Sequence, residues 1–460
     1  MTAVRRELAP TLRLAGPVIV AELGWMFMGV VDTLMVGRIG PDAIGAVGLG
    51  SILYFSTGVF GMGVLLGLDT FVSQAYGAGR IRECHRWLRD GVHLAVLLTP
   101  VLMLVNAGLV AALPAFDLHP DVHRLTAPYI EVVAIGSLPL LLYAAFRRYL
   151  QAVGVVMPVM VTLVAANVVN ALANWILIFG KFGMPALGAT GAAWATVLGR
   201  TFMAAALLVV IIRHEHQIKA GLFDVPFRRI EWPRIMQLLR LGVPAATQLT
   251  AEVGVFGAVA ALAGRISPVA LAAHQVALNM ASVTFMAPLG LASAGAVRVG
   301  HAIGRRSVDE ASAAGWSAMT LATAFMSLSA LVFVTGAEPL VRLFTDDPAV
   351  VATGSALVRV AAAFQLFDGL QVVATGALRG LGDTRTPMLS NLIGHWLLAL
   401  PIATYFGFSL GLGVIGLWAG LSLGLTIVAL VLVATWRRHI RELRSNPAAM
   451  TRLVPGGMLS

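Results

Sequence analysis

The stretch LAGPVIVAELGWMFMGVVDTLMVGRIGP, residues 14–41, decides the class of fold. Between Arg13 and Arg38 it is apolar for long enough to cross a bilayer, because a membrane-spanning helix needs about 20 residues. Two acids, Glu22 and Asp32, interrupt this apolar run. A carboxylate inside a membrane helix costs at least ~2.5 kcal/mol on insertion scales, so both acids are candidate functional residues.

The same stretch recurs in the second half of the chain. Leu14-Ala-Gly-Pro17 is matched by Leu241-Gly-Val-Pro244. Gly37-Arg-Ile-Gly-Pro41 is matched by Gly264-Arg-Ile-Ser-Pro268, and both matches have the same offset of 227 residues. Two matches in one register predict a chain built by duplication of one helical bundle.

The composition places the chain in a membrane. Of its 460 residues 58% are hydrophobic and only 12% are charged, about half the charge of a typical soluble domain. A net charge of +10 usually suggests nucleic-acid binding, but the basic residues here lie in loops between apolar runs. That pattern is typical of membrane topology. The single cysteine, Cys84, excludes an intramolecular disulfide.

Apolar runs predict an all-α polytopic membrane protein with twelve transmembrane helices. The predicted spans cover residues 13–37, 46–72, 91–114, 126–147, 157–180, 187–212, 237–263, 273–297, 314–336, 351–377, 387–408 and 411–435. Because each copy has an even number of spans, the two six-helix lobes are predicted to be parallel repeats with the same orientation.

Lysine and arginine residues are distributed asymmetrically between the two sides of the predicted bundle. Twenty-five of the 32 lie at the start of the chain, in the loops that follow even-numbered spans or in the C-terminal tail. Five lie on the opposite side, and Arg200 and Arg359 lie within spans. Cytoplasmic loops carry the excess of basic residues, so both termini are predicted to be cytoplasmic.

The longest charged connection, between the sixth and seventh spans, predicts the domain boundaries. We expect an N-terminal lobe of residues 1–213, a cytoplasmic linker of residues 214–236, a C-terminal lobe of residues 237–436 and a cytoplasmic tail of residues 437–460.

Several short motifs resemble those of multidrug and toxic compound extrusion (MATE) transporters, and most closely the bacterial NorM-like branch. The motifs are Gly37-Arg-Ile-Gly40 behind Asp32, Gln74-Ala-Tyr-Gly-Ala-Gly-Arg80, Ala273-His-Gln275, Pro288 and Val299-Gly-His-Ala-Ile-Gly304. The resemblance implies two six-helix lobes in a V with a central cavity. It also implies multidrug efflux, and hence antibiotic resistance, by export of organic cations in exchange for Na⁺ or H⁺.

Polar residues in the first, fifth and sixth spans form the first candidate site. Asp32 lies about 9 Å inside the outer end of its span, and Asn170 and Asn174 share one helix face. With the Thr196 hydroxyl and the Ala192 carbonyl they offer the oxygen ligands of a hard cation such as Na⁺. The resemblance implies a cation site at Asp32, Asn170 and Asn174. Two alternatives stay open: Asp32 carries a proton, or the asparagines only hold helices together.

Two further acids, Glu252 and Asp368, form the second candidate site. Residue counting places both near the midplane of the membrane, and they match the acidic C-lobe positions of the NorM-like branch. Two carboxylates close together in a low dielectric can carry protons or exchange them for a cation. The structural alternative is an interhelical hydrogen bond in which one of the two is protonated.

Glu22 departs from the family pattern, and Arg200 is a second unusual charge within a span. Glu22 lies about 14 Å from the cytoplasmic end of its span and Arg200 about 20 Å from the same side. Two long side chains can bridge that difference in depth. The sequence therefore predicts a buried ion pair between Glu22 and Arg200 that braces the first and sixth spans.

No catalytic motif is present in the sequence, which argues against an enzyme or an ATP-driven pump. We predict a secondary antiporter in a bacterial inner membrane, acting as a monomer on drugs and dyes, with no cofactor besides the coupling ion Na⁺ or H⁺. The main alternative is a lipid-linked oligosaccharide flippase of the same superfamily. Such a carrier needs cationic groups in its cavity, whereas the family-matched midplane charges here are acids.

Overall fold

A computed structural model describes residues 2–116, 120–218, 221 and 225–446 of the protein. Helices dominate these residues, and no strand is found among them. Part of the predicted linker (residues 219, 220 and 222–224) and most of the predicted tail (residues 447–460) lie outside the described residues.

Fifteen α-helices follow one another along the described chain. They are α1 (Thr2–Val36), α2 (Pro41–Val64), α3 (Gly67–Gly77), α4 (Ile81–Ala112), α5 (Pro120–Ile135), α6 (Ser137–Ala152), α7 (Met157–Phe179), α8 (Gly188–Gln217), α9 (Trp232–Ile266), α10 (Pro268–Gly304), α11 (Val308–Arg342), α12 (Pro348–Leu381), α13 (Arg385–Asn391), α14 (Leu400–Thr404) and α15 (Gly413–Ser445). A short 3₁₀ segment, Leu113–Phe116, follows α4, and two π-helical segments, Leu392–Ala399 and Tyr405–Ser409, follow α13 and α14.

The apolar helices confirm the predicted class of fold. Eleven helical segments of the described chain are long and apolar enough to cross a membrane, and a twelfth span results if α5 and α6 count as one. These two helices are bent by 44° at a short break. Helix α6 runs to Ala152, beyond the predicted span end at residue 147, so arginines assigned to a loop lie on a helix instead.

The chain divides into two compact units, each described here by itself. Residues 20–246 form the N-terminal unit, and the described residues of 1–19 and 247–460 form the C-terminal unit. This division differs from the predicted boundaries, because the start of α1 groups with the second half of the chain. Likewise, the start of α9 groups with the first half.

The N-terminal unit includes the first turns of α9, which pack tightly against the junction of α2 and α3. A Cβ atom added at Gly63 would lie 2.6 Å from the Ala246 Cα atom, and one added at Gly67 would lie 3.0 Å from the Leu238 carbonyl oxygen. Glycines allow this close approach of backbones, which is the usual way that membrane helices gain packing energy. The first turns of α9 are therefore an integral part of this unit.

Charged residues fix the same end of α9 to α4. Arg234 donates to Asp90 at 2.5 Å and to Glu83 at 2.8 Å, and its guanidinium lies 3.8 Å from the centre of the Trp87 ring. Just before α9, Glu231 accepts a hydrogen bond from Arg89 at 2.8 Å. Burial opposes ionisation of Glu231, but the hydrogen bond from Arg89 and its charge outweigh it and lower the pKa of this carboxyl.

One of the two hydrophobic clusters among the described residues of the C-terminal unit lies where α10, α11, α12 and α15 meet. Its helices approach closely at glycines on α12. A Cβ atom added at Gly376 would clash with the Ala292 carbonyl oxygen, and one added at Gly380 would lie 2.6 Å from the Ala296 carbonyl oxygen. The two glycines are four residues apart and therefore line one face of α12.

Replacing Gly380 with Ala is expected to destabilise the protein by about 1–3 kcal/mol, since the added methyl group overpacks a backbone contact. Thermal unfolding of the purified protein in detergent measures this effect. Gly257→Ala is the matched control, because nothing lies within 4 Å of a Cβ atom added at Gly257 in α9. Equal melting temperatures for the two variants would show that α10 and α12 tolerate a wider spacing.

Candidate ion-coupling and substrate sites

The residues of the first candidate site lie together in the N-terminal unit. Asn174 on α7 donates its amide hydrogens to Asp32 on α1, at 2.5 Å, and to the Asn170 side-chain oxygen, at 3.1 Å. From α8, the Thr196 hydroxyl lies 3.5 Å from the other Asp32 oxygen and 3.0 Å from the Ala192 carbonyl oxygen. The structure thus joins three helices around one carboxylate.

The local sequence explains how these helices present their polar groups. Asn170 and Asn174 are four residues apart on α7, as are Ala192 and Thr196 on α8, so each pair lies on one helix face. Both asparagines are completely buried, whereas Asp32 is partly exposed. A partly exposed carboxylate backed by buried amides is open to an entering ion.

One oxygen of this cluster has no partner. The side-chain oxygen of Asn174 is buried and accepts no hydrogen bond within the described part of the chain. An unpaired buried acceptor normally costs about 1–3 kcal/mol, which binding of a cation would recover. Together with the Asp32 carboxylate and the Thr196 hydroxyl, the set of donor atoms fits a hard monovalent cation.

The predicted ion pair between Glu22 and Arg200 is wrong. Glu22 is paired with Arg147 on α6, which donates a hydrogen bond to its carboxylate, and both side chains are nearly completely buried. One turn further along α1, Trp25 stacks on Tyr143 of α6, with ring centres 5.9 Å apart. A charged pair and an aromatic pair therefore hold α1 against α6.

The reason for the error is that residue counting gives the depth of a side chain but not its direction around the helix. Glu22 and Arg200 have compatible depths, yet Glu22 points to α6. Arg147 was counted with the cytoplasmic loop after the fourth span, whereas α6 continues to Ala152 and buries it. Arg200 instead lies over the ring of Tyr54, with 4.6 Å between its Cζ atom and the ring centre.

The second candidate site lies in the C-terminal unit and contains more polar residues than the two predicted acids. Glu252 on α9 accepts a hydrogen bond from Gln371 on α12 at 3.5 Å, and Gln371 also donates to Asn391 at 3.2 Å. Asp368 lies one turn before Gln371 and interacts electrostatically with Glu252. All four side chains are buried, so this unit holds two acids in an amide-lined interior.

Sequence reasoning missed Gln371 and Asn391. Gln371 follows Asp368 by three residues, and this spacing on one helix face could have drawn attention to it. Asn391 ends α13 and directly precedes the π-helical segment Leu392–Ala399. Short π-helical turns inside helices occur frequently at functional sites, but no sequence pattern announces them.

These features define a class of protein. A duplicated set of apolar helices, with a polar cluster built around one acid in the first half and around two acids in the second, is the construction of a polytopic membrane transporter. Ionisable groups within membrane helices usually serve ion or substrate pathways. No group of three His, Cys, Asp or Glu side chains that could hold a metal ion is found among the described residues.

Comparison with known proteins identifies the family. A family model described as MatE matches residues 17–176 and 244–405, one match in each half of the chain. The chain is 37% identical over 444 residues to a probable multidrug resistance protein NorM of Mesorhizobium japonicum (strain LMG 29417 / CECT 9101 / MAFF 303099), covering 95% of both chains. It is 36% identical over 448 residues to the multidrug resistance protein NorM of Burkholderia vietnamiensis, again covering 95% of both.

The fold is likewise that of solved MATE transporters. The crystal structure of the eukaryotic MATE transporter AtDTX14 superimposes with a TM-score of 0.86 at 20% identity, covering 97% of this chain and all of the other. The chain belongs to the MATE family and is a multidrug-resistance-type transporter with the two-lobe fold of that family. The resemblance drawn from the sequence motifs is confirmed.

Proposed function

We propose that this protein is a secondary active antiporter that exports hydrophobic or amphipathic organic cations in exchange for Na⁺ or H⁺. The observation that carries the proposal is the Asp32 cluster. It places one carboxylate among the neutral oxygens of Asn170, Asn174 and Thr196, inside an apolar helical unit. A carboxylate in such surroundings can bind and release a small cation or a proton, which is the usual role of an acid within membrane helices.

The acids of the C-terminal unit support the substrate class. Glu252 and Asp368 are buried, and among the described residues neither forms an ion pair with a basic side chain. A buried acid without a basic partner attracts a cation or a proton. We therefore assign cation attraction, toward an organic substrate or a coupling proton, to this pair.

Coupling requires that ion and substrate act on the same conformational equilibrium. Each ligand shifts the balance between inward-facing and outward-facing states only by the difference in its affinity for the two states. In this proposal the coupling ion binds at Asp32, and the acidic pair Glu252 and Asp368 attracts the organic cation. Alternating access follows because the two ligands favour opposite members of the inward-facing and outward-facing pair of states.

Dye efflux from proteoliposomes under an imposed pH or Na⁺ gradient tests the function. The wild type is expected to export an ethidium-type dye under one of the two gradients. Glu252→Gln and Asp368→Asn are expected to reduce export by at least tenfold, since each removes a charge that attracts the cation. Glu338→Gln is the control, because Glu338 is an exposed acid paired with Arg342 on α11.

Absence of dye movement under both gradients, with folded protein, would contradict the antiporter and favour the oligosaccharide flippase. Dye movement without any dependence on a counter-ion would indicate a channel. We further propose that the protein works as a monomer in a bacterial inner membrane with both termini in the cytoplasm. The distribution of lysine and arginine supports this orientation, and the related NorM proteins come from bacteria.

A further inference from the structure

Arg200 is a buried cation in the N-terminal unit that the proposed transport cycle does not yet use. Its side chain belongs to α8, one turn beyond Thr196, so both residues lie on the same helix face. Arg200 is 9% exposed, and its Nη1 atom forms no hydrogen bond within the described residues. Charged side chains are rarely buried in membrane helices without a partner or a function.

The guanidinium of Arg200 lies between an aromatic ring and a glycine. On one side lies the ring of Tyr54, whose hydroxyl is fixed by a hydrogen bond to Ser137 at 3.2 Å. On another side lies Gly136, at the break between α5 and α6, where an added Cβ atom would be 3.3 Å from Nη1 of Arg200. The cation–π contact with Tyr54 therefore holds the guanidinium in place, and the absence of a side chain at Gly136 leaves room for it.

The guanidinium of Arg200 also adjoins the Asp32 cluster. Thr196 reaches the Asp32 carboxylate from the same face of α8, and the guanidinium of Arg200 interacts electrostatically with that carboxylate. No hydrogen bond or ion pair joins Asp32 and Arg200 in the described part of the chain. Arg200 is thus close enough to act on the charge of the site but is held on Tyr54 instead of on Asp32.

We propose that Arg200 determines the ion specificity of this site: its tethered positive charge takes the place of a metal cation beside Asp32 and excludes Na⁺. The inference rests on the proposed role of Asp32 in coupling. At an effective dielectric of ~20, a second positive charge weakens binding of a cation by about 100-fold at a separation of about 6 Å, and still by roughly tenfold at about 10 Å. A site without such a residue would accept Na⁺ readily, because its oxygen ligands suit that ion.

The other groups that face Asp32 add no charge that would offset the effect of Arg200 on cation binding. Asn170 and Asn174 from α7 and Thr196 from α8 are neutral. From α5, Tyr129 faces the same region, and its hydroxyl oxygen forms a hydrogen bond with the Ser51 hydroxyl oxygen at 2.9 Å. Among these groups, Arg200 is the one that brings a permanent positive charge to Asp32.

Melting temperatures of the purified protein in NaCl and in choline chloride at equal ionic strength test the inference. A ligand that binds only the folded state raises the melting temperature, and more so with higher affinity. For the wild type we expect no Na⁺-specific rise. For Arg200→Gln and Arg200→Met we expect a Na⁺-specific rise, corresponding to at least tenfold tighter Na⁺ binding. In the double variants with Asp32→Asn that rise should disappear.

Two controls complete the design. Arg200→Lys keeps the charge and should resemble the wild type, while Arg265→Gln removes an arginine that lies 5.9 Å from the Phe408 ring in the C-terminal unit and should change nothing. A Na⁺-specific rise in the wild type that Asp32→Asn abolishes would overturn the inference, even if the neutral variants failed to fold. So would folded neutral variants that gain no Na⁺ response.

Failure of this inference is distinguishable from failure of the proposed function. If the wild-type protein moves dye under a Na⁺ gradient and this movement depends on Asp32, the protein is still an antiporter, but the proposed role of Arg200 is refuted. Wild-type protein that moves dye under neither gradient would refute the antiporter, whereas the melting comparison would still decide whether Arg200 repels Na⁺.

Discussion

Replacing Asp32 with Asn is expected to reduce gradient-driven dye efflux to the level of protein-free liposomes. Asn has nearly the same shape as Asp, and it can still hydrogen-bond to Asn174 and Thr196, so the packing of α1 against α7 and α8 should persist. What is lost is the negative charge. Without it the site neither binds a cation nor releases a proton, and the transport cycle loses its driving ion.

The measurement compares initial rates of dye efflux under the effective gradient, with equal amounts of monodisperse protein in each liposome preparation. Asp42→Asn is the matched control, since Asp42 is an exposed acid in the first turn of α2. We expect this variant to retain wild-type rates. Efflux that survives in Asp32→Asn would move the coupling function to the acids of the C-terminal unit, Glu252 and Asp368.

Neutralising one member of the pair Glu22 and Arg147 is expected to destabilise the protein by ~3–5 kcal/mol. Both side chains are buried, with 11% and 7% of their surfaces exposed, so each single variant leaves an uncompensated charge in an apolar interior. Replacing both, as in Glu22→Leu with Arg147→Met, removes both charges and should restore most of the lost stability. Unfolding in detergent, followed as a double-mutant cycle, measures the coupling between the two residues.

An exposed pair provides the comparison for this cycle. Glu338 and Arg342 on α11 are four residues apart, 2.9 Å from each other, and about half exposed. The same neutralisations there should cost no more than about 1 kcal/mol, because water screens both charges. If single neutralisations of Glu22 and Arg147 harmed the protein no more than the double variant, the buried pair would not stabilise this unit.

The two arginines of the N-terminal unit differ in a way that follows from their surroundings. Arg147 is neutralised by Glu22, so this pair adds no net charge to the interior. Arg200 lies on an aromatic ring and leaves its charge available to Asp32. For this reason we assign a structural role to the first and a role in ion selection to the second.

The sequence by itself determined the class of the protein. Hydropathy and residue spacing are properties of the chain alone, and they were enough to predict the all-helical membrane fold and the duplication. Short motifs were enough for the family. The sequence also pointed to Asp32, Asn170 and Asn174, because a polar residue in an apolar run is conspicuous and a spacing of four residues places two side chains on one helix face.

Only the tertiary structure decided which of these side chains meet. The partner of Glu22 depends on the rotation of α1 and α6 about their axes, which residue counting does not give. Gln371 joins Glu252 to Asn391 because the fold brings together residues of α9, α12 and α13 that are 119 and 20 positions apart in sequence. The division of α1 and α9 between the two units is likewise a result of packing, since both helices are continuous in sequence. Local patterns fix the depth of a residue in the membrane, whereas contacts between helices fix its direction.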